Sequence, residues 1–159
     1  GVHAINWQII NGEIKTGVTI QKLSDKIDSG DILLQESFEI KFDDDVNNVL
    51  EKAIILSISL TKKLFLQLKL DECVYYKQII IGDEFTCKLR KPEHGKLKNS
   101  MTDDEIYNMI RALVSPWPGA YYYINEKDKI VINNMIPYND IKNFRNKIVK
   151  NINNGEVII

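Results

Sequence analysis

Residues 4–10, Ala-Ile-Asn-Trp-Gln-Ile-Ile, are apolar at positions four, five, seven, nine and ten, and Asn11-Gly12 follows. That pattern predicts a short helix closed by a glycine stop. Residues 17–23, from Gly17 to Leu23, alternate and are β-branched, which predicts a strand. A polar, turn-rich stretch from Ser24 to Gly30 separates it from a second predicted strand over residues 31–40. Asp43-Asp44-Asp45 supplies N-caps and negative charge for a helix start. Behind it Val46, Val49, Leu50, Ala53, Ile54, Leu56, Ile58, Leu60, Leu64 and Leu68 predict a long helix over about 45–68.

The pattern changes character after residue 70. A strand over 85–90 is expected, then a turn at Lys91-Pro92-Glu93-His94-Gly95. Thr102-Asp103-Asp104-Glu105 reads as a capping box ahead of Ile106, Met109, Ile110 and Leu113, so a helix over about 103–113 is predicted. Pro116-Trp117-Pro118-Gly119 stops it. Residues 120–124 and 129–133 suggest a hairpin around 125–128. Lys142, Arg145, Lys147 and Lys150 follow in an Asn-rich stretch that reads as a solvated face, with phosphate contact the minority reading. The chain closes on apolar Val157-Ile158-Ile159.

Composition adds mainly exclusions. The 159 residues are 44% apolar and 27% charged, which disfavours disorder, collagen and coiled coil. Net charge is −1, and neither part is polarised: residues 1–69 carry 8 basic and 10 acidic side chains, residues 70–159 carry 13 and 12. Bulk charge therefore makes no case for a nucleic-acid or membrane-surface protein. No apolar run approaches the roughly 20 residues of a bilayer span. Cys73 and Cys87 have neither metal nor disulfide spacing, so a reducing cytoplasm is the expected compartment.

Asp28-Ser29-Gly30-Asp31, joining two apolar strands, is the best local candidate for a site, because carboxylates at a strand–loop junction can orient a histidine or hold a donor. Taken alone, the spacing reads first as a solvated Asp/Gly turn. His3 and His94 are the only histidines and neither has a partner at ligand spacing, so no metal is expected. There is no Gly-rich phosphate loop and no Gly-x-Ser-x-Gly elbow. Tyr121-Tyr122-Tyr123 reads as alternation across a strand rather than a base-stacking platform, and Trp117 as a packing anchor or a pocket wall.

The ordered set of motifs is more specific than its pieces. Residues 4–13, Thr16 to Ile20, Ile27 to Leu33 and Gln35 follow one another closely, and Arg90 to Gly95, Ile110 to Leu113 and Pro116 to Ala120 continue the order. Over about residues 1–133 the chain resembles the C-terminal part of 10-formyltetrahydrofolate-dependent formyltransferases. The resemblance implies an α/β fold: residues 1–69 as the second half of a Rossmann-like catalytic domain, and residues 70–159 as linker and a small mostly-β C-terminal domain. It implies 10-formyltetrahydrofolate as co-substrate. By the family's pattern an Asn-x-His motif supplies oxyanion stabiliser and general base, and an aspartate matching Asp28 holds and tunes the histidine. Ser24, Asp25, Lys26, Ile27 and Asp28 match the segment lining the pterin end of the folate.

The Asn-x-His motif, which in the family precedes the position of Gly1, is not in these 159 residues, and His3 does not correspond to it. The expectation is a piece of an enzyme that is inactive by itself. Its apolar surface would then need cover from a partner, a second chain or a domain swap, which brings in a homo-oligomer. Ile5-Asn6-Trp7 and the Arg90–Gly95 turn look more like the family's sugar enzymes. The preferred acceptor is therefore the amine of a nucleotide-linked amino sugar, with Asn6 and Trp7 near it, and methionine on initiator tRNA is the alternative. A weakly charged second half also suits tRNA poorly. A non-catalytic binding module that kept the fold is the alternative of another class.

Overall fold

The three-dimensional structure is a computed structural model describing residues 2–25, 27–79, 87–123 and 128–154, with side chains described up to residue 146. Helix α1 spans Ala4–Ile10 and closes at Asn11. Strands β1 (Lys15–Gln21) and β2 (Ile32–Glu39) pair antiparallel, Lys15 opposite Glu39 and Ile20 opposite Leu34, with an irregularity at Ile20/Gln21. Helix α2 runs 25 residues, Val46–Leu70. Its start is set by Asp45, whose Oδ1 accepts from the backbone N–H groups of Asn47 (2.8 Å) and Asn48 (3.0 Å). The Asn48 Oδ1 accepts in return from the Asp45 N–H, so two of the helix's orphan donors are satisfied reciprocally.

In the second part a 3₁₀ turn at Pro92–Gly95 precedes helix α3 (Asp103–Arg111). The Thr102 and Glu105 side chains cap α3 as the sequence predicts. Strands β3 (Ala120–Tyr123) and β4 (Lys129–Ile132) form an antiparallel pair, and helix α4 (Tyr138–Asn154) follows. The architecture is α/β, with two separate two-stranded sheets among the described residues.

One apolar core joins both parts. Ile9 of α1, Ile40, and Val46 and Val49 of α2 meet Ile106, Met109 and Ile110 of α3, Tyr122 of β3, Ile132 of β4 and Ile141 of α4. Arg111 ties the parts as well: its guanidinium is buried and donates to the carbonyls of Lys41 (3.1 Å) and Asp44 (2.9 Å), and to Asn108 Oδ1 (2.9 Å). Burial lowers its pKa, and three acceptors offset part of the cost of placing a cation there. Only the first turns of α2 reach this core. Further along, α2 lies on β1 and β2 with Leu60 fully buried, while Leu50, Ile54, Ile58, Phe65 and Leu68 are exposed.

Three expectations change. Cys87–Arg90 is not a strand; side chains take the place of a ladder there, the Lys88 carbonyl accepting from the Trp7 indole and the Arg90 N–H donating to His3 Nδ1. The mostly-β character expected of residues 70–159 is not what the described residues show: α3 and α4 take 9 and 17 residues against two strands of 4. The basic Asn-rich stretch belongs to α4, because Ile141 and Phe144 recur at helical spacing and turn toward the core. Arg145 in it is also bound, to Asp103 and the Asn99 carbonyl. The tyrosine run does alternate: Tyr121 stacks edge-on with Tyr123, and Tyr122 faces Phe144. Phe85, Thr86, residues 125–127 of the turn expected at 125–128, and the apolar terminus 157–159 lie outside the described residues.

Candidate functional site

The β1–β2 connection carries the Asp28 loop. Asp28 is exposed and sits at φ 56°, in the left-handed region that aspartate and asparagine adopt more readily than other side chains. The loop closes tightly on itself. A Cβ at Gly30 would lie 1.7 Å from the Lys22 carbonyl oxygen, so only glycine fits. Across the loop the hydroxyls of Ser24 and Ser29 are 2.9 Å apart. Asp25 and Ile27 are exposed, Ile27 almost completely. Lys26 lies outside the described residues.

A residue that sequence reasoning missed holds this loop. The Gln78 side-chain amide donates to the Gln21 Oε1 (2.7 Å), the Gly30 carbonyl (2.7 Å) and the Asp28 carbonyl (3.0 Å). Just before it, the backbone N–H and C=O of Tyr76 pair with those of Ile32. The segment after α2 therefore returns alongside β2 and fixes the loop's main chain. Thr19, Gln21, Asp28, Ile32, Gln35 and Gln78 line a shallow polar cleft there, and the Gln35 amide donates to Thr19 Oγ1. This is a rim of main-chain groups, amides and hydroxyls around one carboxylate.

Asn6 and Trp7 are elsewhere. Asn6 is buried and its amide donates to the Ala112 carbonyl at 2.8 Å, tying α1 to the end of α3. That bond gives Asn6 a packing role between α1 and the end of α3. The Trp7 indole N–H donates to the Lys88 carbonyl at 2.8 Å, and the Arg90 guanidinium lies 4.7 Å over its ring. His3, at φ 60°, meets Trp117 edge-on with ring centroids 5.2 Å apart. His94 is exposed, its Nδ1 accepting from the Lys91 N–H. Trp7, His3, Arg90 and Trp117 thus gather at the junction of α1 with the second part, sharing no lining residue with the cleft at Asp28.

Among the described residues no group of three or more His, Cys, Asp or Glu is arranged to hold a metal ion. No helix among them is long and apolar enough to cross a membrane. Cys73 and Cys87 are free thiols.

Comparison with known proteins matches this order of elements. Residues 1–56 match the model described as formyl transferase, and residues 90–159 the model for the formyl transferase C-terminal domain. The chain belongs to the formyltransferase family. It is 34% identical over 147 residues to the bifunctional polymyxin resistance protein ArnA of Wigglesworthia glossinidia brevipalpis, covering 89% of this chain and 22% of that protein. It is 35% identical over 129 residues to methionyl-tRNA formyltransferase of Citrifermentans bemidjiense, covering 80% of this chain and 39% of that one. Among solved structures it is similar to the N-formyltransferase of Helicobacter canadensis in complex with folinic acid and dTDP-3-aminofucose. That match has 28% identity and a TM-score of 0.63, over 70% of this chain and 42% of that one. The chain spans about two fifths or less of each of these three proteins.

Proposed function

We propose that the chain forms the Asp28 side of a site that transfers a formyl group from 10-formyltetrahydrofolate to the amine of a nucleotide-linked amino sugar. Residues 1–69 serve as the closing part of the catalytic domain, and residues 70–159 as linker and C-terminal domain. The observation that carries the reading is the loop itself: an exposed carboxylate in a left-handed turn, its main chain fixed by Gln78, in a chain of the formyltransferase family. The groups present fit a folate's pterin edge, which is read by main-chain donors and acceptors and by hydroxyls such as those of Ser24 and Ser29. Formyl transfer needs an amine to lose a proton as it attacks the formyl carbon, and a donor set for the tetrahedral oxyanion. Asp28 supplies neither directly. Its role is to hold and charge-balance a histidine contributed from outside these 159 residues, so the chain by itself is inactive.

The sugar acceptor is supported by the 28%-identical neighbour complexed with dTDP-3-aminofucose and by the near-neutral second part. Initiator methionyl-tRNA remains the second reading, favoured by the 35%-identical methionyl-tRNA formyltransferase.

The test begins with the protein as its cell makes it: intact mass, peptide sequencing upstream of Gly1, then single-turnover assays with 10-formyltetrahydrofolate and each acceptor. The expected result is formylation of the amino sugar with little salt dependence, lowered about 100-fold or more by Asp28→Asn. Steep salt dependence with tRNA as acceptor selects the second reading. Formylation of neither acceptor overturns the proposal, and turnover by the 159-residue chain alone overturns the need for an outside histidine.

A further inference from the structure

The junction of α1 with the second part holds a cavity of about 160 Å³, lined by His3, Arg90, Pro92, Leu113, Trp117 and Pro118 together with Lys91, Gly95 and Gly119. Its volume is close to the ~150 Å³ that accommodates one benzene-sized ring in an apolar protein interior. The walls come from two turns pressed together: a Cβ at Gly95 would lie 2.8 Å from the Gly119 carbonyl oxygen. Two prolines, a leucine and the Trp117 indole make it mostly apolar, which suits a flat ring.

Its charge is one-sided. Arg90 and Lys91 line it, and no lining residue is acidic. Arg90 is half-buried. Its Nη2 donates to the His94 carbonyl (2.9 Å) and sits 3.7 Å from Met109 Sδ. Its Nε and Nη1 have no hydrogen-bond partner among the described residues, and no carboxylate there pairs with it. A half-buried guanidinium whose Nε and Nη1 have no partner among the described residues, beside a partly open, ring-sized apolar cavity, is complementary to a ring that carries its own anion.

We propose that this cavity binds a single-ring aromatic carboxylate, the ring against Trp117 and the prolines and the carboxylate on Arg90. The site is separate from the cleft at Asp28, so it stands whether or not the reading of that cleft does. The probe is 4-fluorobenzoate, titrated into the 159-residue chain by ¹⁹F NMR beside fluorobenzene and 4-fluorobenzylamine, with fluorescence of Trp7 and Trp117 as second readout. The expected result is saturable binding of 4-fluorobenzoate about tenfold or more tighter than fluorobenzene, with 4-fluorobenzylamine weakest. Arg90→Gln should abolish the difference between benzoate and fluorobenzene. The ranking within the unaltered chain decides the matter even if that variant does not fold. No saturable binding, or equal binding of all three rings, overturns the proposal. So does uridine 5′-monophosphate binding more tightly than 4-fluorobenzoate, which would assign the cavity to a nucleotide instead.

Discussion

Gln78 shows how one side chain can set the geometry of a loop it does not belong to. Its amide nitrogen shares two N–H groups among acceptors on Gln21, Asp28 and Gly30, and two of these are main-chain carbonyls. Each such bond contributes about 1 kcal/mol net. Their greater effect is to hold Asp28 at φ 56°, a conformation that costs a non-glycine residue about 1 kcal/mol or more. Gln78→Leu keeps the side chain's size and removes the donors. The expected outcome is a loss of about 1–2 kcal/mol in stability and faster amide hydrogen exchange confined to the loop between β1 and β2. Exchange in β1 and α2 should be unchanged, as mass spectrometry of deuterated peptides would show. Unaltered exchange in the loop would mean that Gly30's close approach to Lys22 suffices to hold it.

At the scale of elements, α2 and α3 were legible because their ends are written locally. Asp45 and Asn48, and Thr102 and Glu105, satisfy helix-start donors within three residues, so a reader of the sequence sees both partners at once. The consequence is measurable: Asp45→Ala removes both bonds from the start of α2 and its favourable charge there. It should cost about 1 kcal/mol in denaturant unfolding, with unchanged m-value. A change below a few tenths would show that packing of Val46 and Val49 alone fixes the start. The elements that sequence reading missed lack such local writing. Gln78 lies 48 to 57 residues from its acceptors. Residues 87–90 have strand-like side chains but partners on α1. Asn6 looks like a polar residue offered to a ligand, and only the fold brings Ala112 to it. The aspartate loop itself was found through the order of motifs, since its composition alone matches any Asp/Gly turn. Its supporting amide had no such signal.

At the scale of the whole molecule, the largest unmet demand is the outer face of α2. Leu50, Ile54, Ile58, Phe65 and Leu68 recur along one side of the helix and remain 42% to 67% exposed, while the side carrying Leu60 is buried and α2 lies on β1 and β2. A contiguous apolar stripe of this kind marks an interaction face. Its strength can be bounded. Burying a half-exposed Leu, Ile or Phe yields about 1 kcal/mol, so two copies covering each other's five side chains gain about 10 kcal/mol. Association costs about 4–15 kcal/mol in lost freedom. The balance is close, which predicts weak, concentration-dependent self-association of the 159-residue chain rather than a permanent dimer. Sedimentation velocity across the micromolar to millimolar range should show the average mass rising with concentration, together with binding of a hydrophobic dye. The paired variant Ile58→Lys and Phe65→Lys should stay monomeric and lose the dye signal. Its unfolding midpoint at low concentration should match the parent's, because neither side chain contributes to the packed side of α2. A parent chain that stays monomeric at the highest concentration and binds no dye would show that α2's outer face is satisfied within the molecule.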